Sequence, residues 1–205
     1  GERFDLDTIV LMRHPLAQAL SVMHTGWYST GKGLLRNPRY VDRWLNSELE
    51  SYCWDLYGHG AEIEWRVLDW VLENLPLLKQ LPGHLEWVLI TYEELLLDPS
   101  KVLGELARRL ELPADDRMVA RLRRPSRSTR LESSPQRKQL IAAGDQRRLI
   151  SSWQDQVSPE VLRSCASILD RFQIDLYSVD SPVANPRYLP GPNSPTISPH
   201  TSASQ

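Results

Sequence analysis

Cysteine is scarce in this sequence: Cys53 and Cys165 stand far apart, and neither belongs to a CxxC or a Cys/His motif. This scarcity argues against a disulfide scaffold or a zinc site, and it favours two buried apolar thiols in a reducing compartment. No apolar run approaches the ~20 residues that a membrane-spanning helix needs. Because the net charge is only -2, we expect no nucleic-acid partner and no membrane partner for this chain.

What is present is an ordinary globular composition, with 41% hydrophobic and 24% charged residues over 205 positions. That length suits one domain with a real core. Residues 1–180 carry periodic apolar patterns, whereas 181–205 are rich in Pro, Ser and Asn and are expected to form a disordered tail. The chain opens at Gly1 and enters a buried-strand pattern within a dozen residues, so we expect that sequence is missing upstream.

Two short apolar runs, at 7–12 and 87–92, predict buried strands. Apolar residues at helical spacing predict helices at 15–25, 41–56, 63–75, 99–110 and 159–172, the third of them ending at Pro76. The glycines and proline of 26–39 predict a loop. Strands joined by long helical crossovers imply a parallel sheet. The expected fold class is therefore α/β and helix-dominated, with about two strands and five or six helices.

The end of the first predicted strand offers a candidate phosphate site. Arg13 stands at that end, and Ser21 lies eight residues on, about two turns into the following helix. A phosphate there would meet free backbone N–H groups, the guanidinium of Arg13 and, if the helix turns it that way, the hydroxyl of Ser21. Open α/β sheets bind ligands at this end of their strands. The alternative is that Arg13 only ends a strand and Ser21 is a small residue at a helix crossing.

A family resemblance begins at the same place. The segment 9–21, with Arg13-His14-Pro15 and then Ser21, resembles the 3′-phosphate-binding segment of sulfotransferases. In that family a strand runs into Arg-(Asp or Asn)-Pro, and a Ser follows six residues after the Pro. His14 stands where the family has Asp or Asn.

Two later segments extend the resemblance in the same order. The run Tyr92-Glu93-Glu94-Leu95 is similar to the family's strand ending in Tyr-Glu-Asp-Leu, and Asp98-Pro99 then opens a helix. The end of the chain, from Trp153 to the helix at 159–172, is like the family's closing Trp and acidic-capped helix. Ser151, Ser152 and Gln154 replace the glycine and basic residues often seen near that Trp.

The resemblance implies a P-loop-NTPase-like parallel sheet, here incomplete, and transfer of a sulfuryl group from 3′-phosphoadenosine 5′-phosphosulfate to a hydroxyl or amine. It implies that Arg13 and Ser21 hold the 3′-phosphate, that Tyr92 lies near the adenine, and that Arg137 and Lys138 contact the cofactor. The last two follow from Ser134-Pro135-Gln136-Arg137-Lys138-Gln139, which echoes the family's Ser-Pro-x-x-Arg-Lys-Gly run.

Parts of the family's machinery are not found in this sequence. The loop for the 5′-phosphosulfate would precede residue 1, and no catalytic base is identified, so this chain alone is expected to be incomplete and inactive. It would supply the 3′-phosphate site and part of the pocket for a small-molecule or carbohydrate acceptor. No metal is expected. The expected compartment is the cytoplasm, or the Golgi lumen if an anchor lies upstream.

Two other readings stay open. Gly26–Lys32 fits the first seven positions of a Walker A motif, but Gly33 replaces the final Ser or Thr, and the segment follows a helix rather than a strand. A P-loop nucleotide enzyme centred on Gly31-Lys32 is one alternative function. The other is a non-catalytic helical interaction domain. Residues 117–148 hold ten basic residues against Glu132 and Asp145, and they form either a solvated face, a nucleic-acid patch or a segment that folds over the cofactor.

Overall fold

The computed structural model describes residues 8–84, 87–113, 116–122 and 135–189. Two short strands form a parallel sheet, β1 at Ile9–Met12 and β2 at Val88–Thr91. Their register pairs Ile9 with Val88 and Met12 with Thr91. Both predicted strands and their parallel arrangement are thereby confirmed.

Helices make up most of the described chain, and the α/β, helix-dominated fold class is confirmed. The helices are α1 Pro15–Thr25, α2 Gly31–Leu35, α3 Pro38–Trp44, α4 Ser47–His59, α5 Glu62–Gln80, α6 Tyr92–Leu97, α7 Pro99–Arg109, α8 Asp116–Leu122, α9 Pro135–Ala143, α10 Gln146–Ser151 and α11 Pro159–Arg171. Single 3₁₀ turns occur at Leu81–Gly83, Gln154–Gln156 and Pro186–Tyr188. The expectation of five or six helices is wrong, because the described residues contain these eleven, several of them one or two turns long.

Side-chain caps explain where the helices begin. The carboxylate of Asp98 accepts the Lys101 N–H at 3.1 Å, and the hydroxyl of Ser158 accepts the Val161 N–H at 3.4 Å. In both cases a proline follows the cap and occupies the first helical position, where its missing N–H costs nothing. The helix starts predicted at Asp98-Pro99 and Ser158-Pro159 are confirmed.

The predicted loop at 26–39 is wrong, because it contains α2 and the start of α3. Asn37 caps α3 by accepting the Arg39 N–H at 3.1 Å, and Pro38 takes the first helical position. Asn and Pro, which also favour turns, act here as a helix start. The single helix predicted at 41–56 is also wrong, because extended backbone at Leu45 and Asn46 separates α3 from α4.

Pro76 does not end α5, which continues to Gln80. A proline inside a helix leaves the carbonyl four residues earlier without its usual donor. In this chain that carbonyl belongs to Leu72, and the buried hydroxyl of Tyr40 donates a hydrogen bond to it. A tertiary contact therefore satisfies the group that Pro76 frees, which the local sequence does not reveal.

Helix α5 is the centre of the core. It packs against α1, α2, α4 and α11, and it buries Val67, Leu68, Trp70, Val71, Leu72 and Leu75 almost completely. Trp44 and Trp65 pack against the same cluster. Cys53 and Cys165 are free and fully buried, which confirms the prediction of two apolar thiols.

The two faces of the sheet are covered unequally. Val10, Met12 and Leu89 belong to the main core. On the opposite face, Val88 and Ile90 pack against Val102 and Leu106 of α7. Their register partners on β1, Ile9 and Leu11, are 47% and 56% exposed. Among the described residues nothing covers this half of the sheet, although parallel sheets are normally covered on both faces.

The segment predicted as a disordered tail begins with residues that pack on the domain. Asn185 N donates to Leu176 O at 2.8 Å, Ala184 is buried, and Arg187 pairs with Asp175. These contacts extend the packed region to at least residue 189. Residues 190–205, and residues 123–134 of the basic stretch, lie outside the described part of the chain.

Candidate functional site

A cleft of about 1520 Å³ opens at the carboxyl ends of the two strands. Arg13 follows β1 and Tyr92 follows β2, and both line the cleft. Helix α1 contributes Ser21 to the lining, α9 contributes Arg137, and α10 contributes Arg148. The strand ends therefore bring together residues that lie more than a hundred positions apart, and the cleft has the location that ligands prefer in open α/β sheets.

Arg13 and Tyr92 are in direct contact. The guanidinium carbon of Arg13 lies 5.1 Å from the centroid of the Tyr92 ring, within cation–π range. The Nε atom of Arg13 is buried and has no hydrogen-bond partner among the described residues. Burial lowers the pKa of Arg13, and the positive charge of Arg137 lowers it further. Both effects disfavour the charged guanidinium, and the nearby Tyr92, Glu93 and Tyr177 oppose them only in part.

Arg137 of α9 also contacts Tyr92. Its Nη2 atom donates a hydrogen bond of 2.9 Å to the Tyr92 hydroxyl. Two guanidinium groups thus converge on one phenol, although like charges repel. Tyr92 begins α6 instead of ending β2, so its side chain is placed by a helix start capped by Thr91.

The predicted site residues are not all brought together. Arg13, Ser21, Tyr92 and Arg137 line the cleft, whereas Lys138, one position further along α9, is exposed and is not part of its lining. Ser21 is itself exposed at the cleft surface. Arg148 does line the cleft, where it lies 3.9 Å from the Asp155 carboxylate. It was predicted only as one member of a basic stretch.

Beside this cluster lies a buried polar network that sequence reasoning missed. The backbone N–H of His14 donates to Glu93 Oε1 at 2.9 Å, and the Tyr177 hydroxyl donates to Glu93 Oε2 at 2.7 Å. The His14 ring lies 3.0 Å, through Nε2, from the Ser178 carbonyl oxygen and stacks on Trp153 with centroids 4.3 Å apart. This network joins β1, β2 and the chain after α11 at the edge of the cleft.

The network shifts two pKa values. Burial lowers the pKa of His14 from its ordinary value of 6.5 to about 4, so the ring is neutral at pH 7. Burial also raises the pKa of Glu93, against the two hydrogen bonds that it accepts from His14 and Tyr177. The helix start at Pro15 therefore differs from the expectation of free N–H groups, because a carboxylate already accepts the His14 N–H.

The donors of the Walker-like segment, Gly26–Lys32, bind a carboxylate of the protein itself. Asp69 Oδ1 accepts hydrogen bonds from Gly31 N at 3.2 Å, Ser29 Oγ at 2.7 Å and Tyr57 Oη at 2.6 Å. A Cβ at position 31 would lie 2.0 Å from Tyr57 Oη. Gly31 is needed for this close approach, and the position of a bound phosphate is taken by Asp69. The geometry therefore does not support the P-loop alternative.

Sequence reasoning also missed a second wall of the cleft, which α5 forms. Arg66, Asp69 and Glu73 line the cleft from this helix. Their spacing of three and then four residues places them on one face. The available signal was this spacing of charged residues among apolar ones in the middle of α5.

None of the described helices is long and apolar enough to cross a bilayer. In the same part of the chain, no group of three or more His, Cys, Asp or Glu side chains is arranged to hold a metal ion. Comparison with protein-family models, with characterised proteins and with solved structures gave no match to this chain.

Proposed function

We propose that this chain binds the 3′-phosphate end of 3′-phosphoadenosine 5′-phosphosulfate at the strand-end wall of the cleft, defined here as Arg13, Ser21, Tyr92 and Arg137. The protein would act as a sulfotransferase, moving a sulfuryl group to a hydroxyl or amine acceptor. The proposal also includes a P-loop-NTPase-like arrangement of the sheet, of which β1 and β2 form part.

The observation that carries the proposal is the convergence of two guanidinium groups on Tyr92. Arg13 and Arg137 lie close enough that the charge of one lowers the pKa of the other. Arg13 Nε has no acceptor among the described residues. A phosphate dianion between the two would supply charge and hydrogen-bond acceptors together, and arginine is well suited to phosphate oxygens. The site therefore fits a doubly charged ester better than a neutral ligand.

The surroundings fit the rest of the nucleotide. The cleft, at about 1520 Å³, exceeds the volume of typical ligand pockets, so it can hold a nucleotide together with a second molecule. Tyr92 supplies an aromatic face beside the phosphate position. Ser21, exposed on the cleft side of α1, supplies a hydroxyl donor.

In this proposal the strand-end wall acts at a distance from the reacting sulfur. Binding of the 3′-phosphate would orient the donor, which is how non-reacting parts of a substrate contribute to catalysis. Sulfuryl transfer, like phosphoryl transfer, relies mainly on positioning and electrostatic stabilisation. The uncovered β1 side of the sheet, at Ile9 and Leu11, is where a further strand and helix could add the 5′-phosphosulfate site.

The proposal is tested by titrating the full chain and its Arg13→Ala variant with adenosine 3′,5′-bisphosphate in a calorimeter. We expect the variant to lose about 2–4 kcal/mol of binding free energy, because a charged hydrogen-bonding partner is removed from a buried site. Arg163→Ala is the matched control, since Arg163 is exposed on α11, pairs with Glu160 one turn away and does not line the cleft. Equal affinities for wild type and Arg13→Ala would contradict the proposal.

A non-catalytic interaction domain remains the second candidate, and one observation favours it. Ile9 and Leu11 expose apolar surface along β1, and such patches often mark contact sites. A domain of that kind has no reason to distinguish a 3′-phosphorylated nucleotide from adenosine monophosphate. The melting temperature in the presence of each nucleotide separates the candidates. A 3′-phosphate site is stabilised more by the 3′-phosphorylated nucleotide than by adenosine monophosphate, and an interaction domain is not.

A further inference from the structure

The α5 wall of the cleft, defined here as Arg66, Asp69 and Glu73, carries charge on a helix that buries mainly apolar side chains. Arg66 and Asp69 are only 8% and 7% exposed, in a helix whose other inward side chains are apolar. Burying charged groups costs free energy that hydrocarbon side chains of similar size would not. A charged stripe that faces a cleft from a buried helix is therefore a feature of a binding site rather than of a core.

Hydrogen-bonding capacity is left over on this wall. Asp69 Oδ1 is saturated by three donors, but Arg66 Nε and Nη1 are buried without a hydrogen bond to any described residue. Nη1 lies 3.8 Å from Asp69 Oδ2, which is an ion-pair distance and not a hydrogen bond. Glu73 accepts the Thr30 hydroxyl on Oε1, while Oε2 accepts none from the described residues. Arg66 and Glu73, two helical turns apart, thus offer donors and an acceptor on one face of α5.

Two aromatic side chains flank this wall at the rim of the cleft. Trp27 is 63% exposed and Tyr28 is 97% exposed, and both line the cleft. The two residues that follow them fix their segment, because Ser29 donates to Asp69 and Thr30 donates to Glu73. Exposed aromatic faces fixed beside a cleft provide flat apolar surfaces for a ligand.

We propose that the α5 wall and the rim residues Trp27 and Tyr28 form a second subsite that binds a carbohydrate. A sugar ring has apolar C–H faces that can lie against the aromatic rings. Its hydroxyl groups can donate to Glu73 and accept from Arg66. A flat phenol or steroid would instead need an enclosed apolar pocket, and this wall is charged and its aromatic rings are open to solvent.

The subsite also defines a role for Glu73, and this part rests on the proposed sulfotransferase function. The acceptor hydroxyl would give its proton to Glu73, its oxygen would form the new bond to sulfur, and the bond from sulfur to the 5′-phosphate oxygen would break. Adenosine 3′,5′-bisphosphate leaves with that electron pair. Partial burial and the neighbouring Asp69 raise the pKa of Glu73, which makes its carboxylate a stronger proton acceptor.

Calorimetric titration of the full chain with maltotriose, cellotriose and tri-N-acetylchitotriose tests the subsite. We expect at least one trisaccharide to bind in the millimolar range, and Trp27→Ala and Glu73→Gln to weaken it at least about tenfold. Trp54→Ala and Asp42→Asn are matched controls on α4 and α3, outside the cleft lining, and they should change the affinity by less than about twofold.

Three outcomes would overturn the subsite: no trisaccharide binds, the controls weaken binding as much as the cleft variants, or 2-naphthol binds here while the sugars do not. A parallel titration with adenosine 3′,5′-bisphosphate keeps the two proposals separate. Sugar binding without bisphosphate binding supports the subsite and removes the proposed function. Bisphosphate binding without sugar binding overturns the subsite alone.

Discussion

The two walls of the cleft are built on opposite plans. The strand-end wall places its cations at the end of a short sheet, and it corresponds to a sequence motif. The α5 wall places Arg66, Asp69 and Glu73 along one long helix. The nearby glycine-rich motif suggests a phosphate site, although its backbone binds the Asp69 carboxylate. A strand end exposes functional groups by its topology, so a local motif can predict it. A helix face becomes a site only through what packs against it.

The same comparison holds for the glycine-rich segment and the Arg13 segment. Both were candidate phosphate sites in the sequence. The structure fills the first with the Asp69 carboxylate, whereas Arg13 keeps a buried Nε without a partner among the described residues. The glycine-rich segment already holds a negative charge, which would repel a phosphate, whereas the Arg13 segment has a buried donor without an acceptor. This difference leads to four predictions.

The largest expected effect concerns His14, which anchors the strand-end wall. Its pKa falls from 6.5 to about 4 on folding, so the unfolded chain binds a proton between these values and the folded chain does not. The contribution of His14 to the free energy of unfolding is therefore fully present above pH 6.5, and about 3 kcal/mol of it is lost as the pH drops towards 4. Urea unfolding at pH 7 and pH 4.5 measures this loss.

His14→Asn, which installs a residue that the sulfotransferase segment has at that position, should remove most of that pH dependence. Glu93 contributes with the opposite sign, because its raised pKa costs stability as the pH rises, so wild type and variant are compared pairwise. His59→Gln is the control, since His59 is exposed on α4. An unchanged slope in His14→Asn would show that the ring is not held neutral.

The next effect concerns Gly31 on the α5 wall. Gly31→Ala should lower the free energy of unfolding by about 2 kcal/mol, because the added Cβ collides with the Tyr57 and Asp69 side chains. Gly33→Ala is a close control two residues away in α2, where nothing lies within 4 Å, and it should be neutral or slightly stabilising. Similar effects of the two substitutions, measured by urea unfolding, would argue that Asp69 does not hold this segment.

A smaller effect is expected from the Tyr92 hydroxyl. Tyr92→Phe keeps the ring beneath Arg13 but removes the acceptor of the Arg137 hydrogen bond. The affinity for adenosine 3′,5′-bisphosphate should fall by about 1 kcal/mol, because Arg137 loses its fixed position. Tyr188→Phe, outside the cleft lining, is the control in the same calorimetric titration, and equal losses in both variants would contradict this role.

The smallest effect is expected from Lys138, which the sequence grouped with Arg137. Lys138→Ala should change the bisphosphate affinity by less than about 0.5 kcal/mol, because the side chain is exposed and outside the cleft lining. Arg137→Ala, its neighbour on α9, is the comparison and should weaken binding clearly. A loss in Lys138→Ala equal to that in Arg137→Ala would mean that the strand-end wall extends further than the structure shows.

The sequence predicts the elements whose signals are local. The strands around Val10 and Leu89, the capped starts at Asp98 and Ser158, and the two buried cysteines all follow from residue types within a few positions. The continuation of α5 through Pro76 does not, because it depends on the Tyr40 hydroxyl, which lies thirty-two residues before the Leu72 carbonyl that it satisfies. Nor does α2, whose short helix is held by Asp69.

In the candidate site, too, the features with local signals were predictable and those that depend on tertiary contacts were not. Arg13, Ser21, Tyr92 and Arg137 were predicted from motifs, and the structure brings all four to one cleft. The burial of His14 and its contacts with Glu93 and Trp153 join three distant segments, and no spacing rule connects them. Burial and pairing of charges are tertiary properties, so the electrostatics of a site follow from the fold and not from its motif.

The most direct test of the central claim is the discrimination of the wild-type chain between adenosine 3′,5′-bisphosphate and adenosine 5′-monophosphate. Both are titrated by calorimetry at the same pH and salt concentration. The account predicts at least about tenfold tighter binding of the bisphosphate, because only its 3′-phosphate can lie between Arg13 and Arg137. Equal affinities for the two nucleotides would mean that these guanidinium groups do not form a 3′-phosphate site.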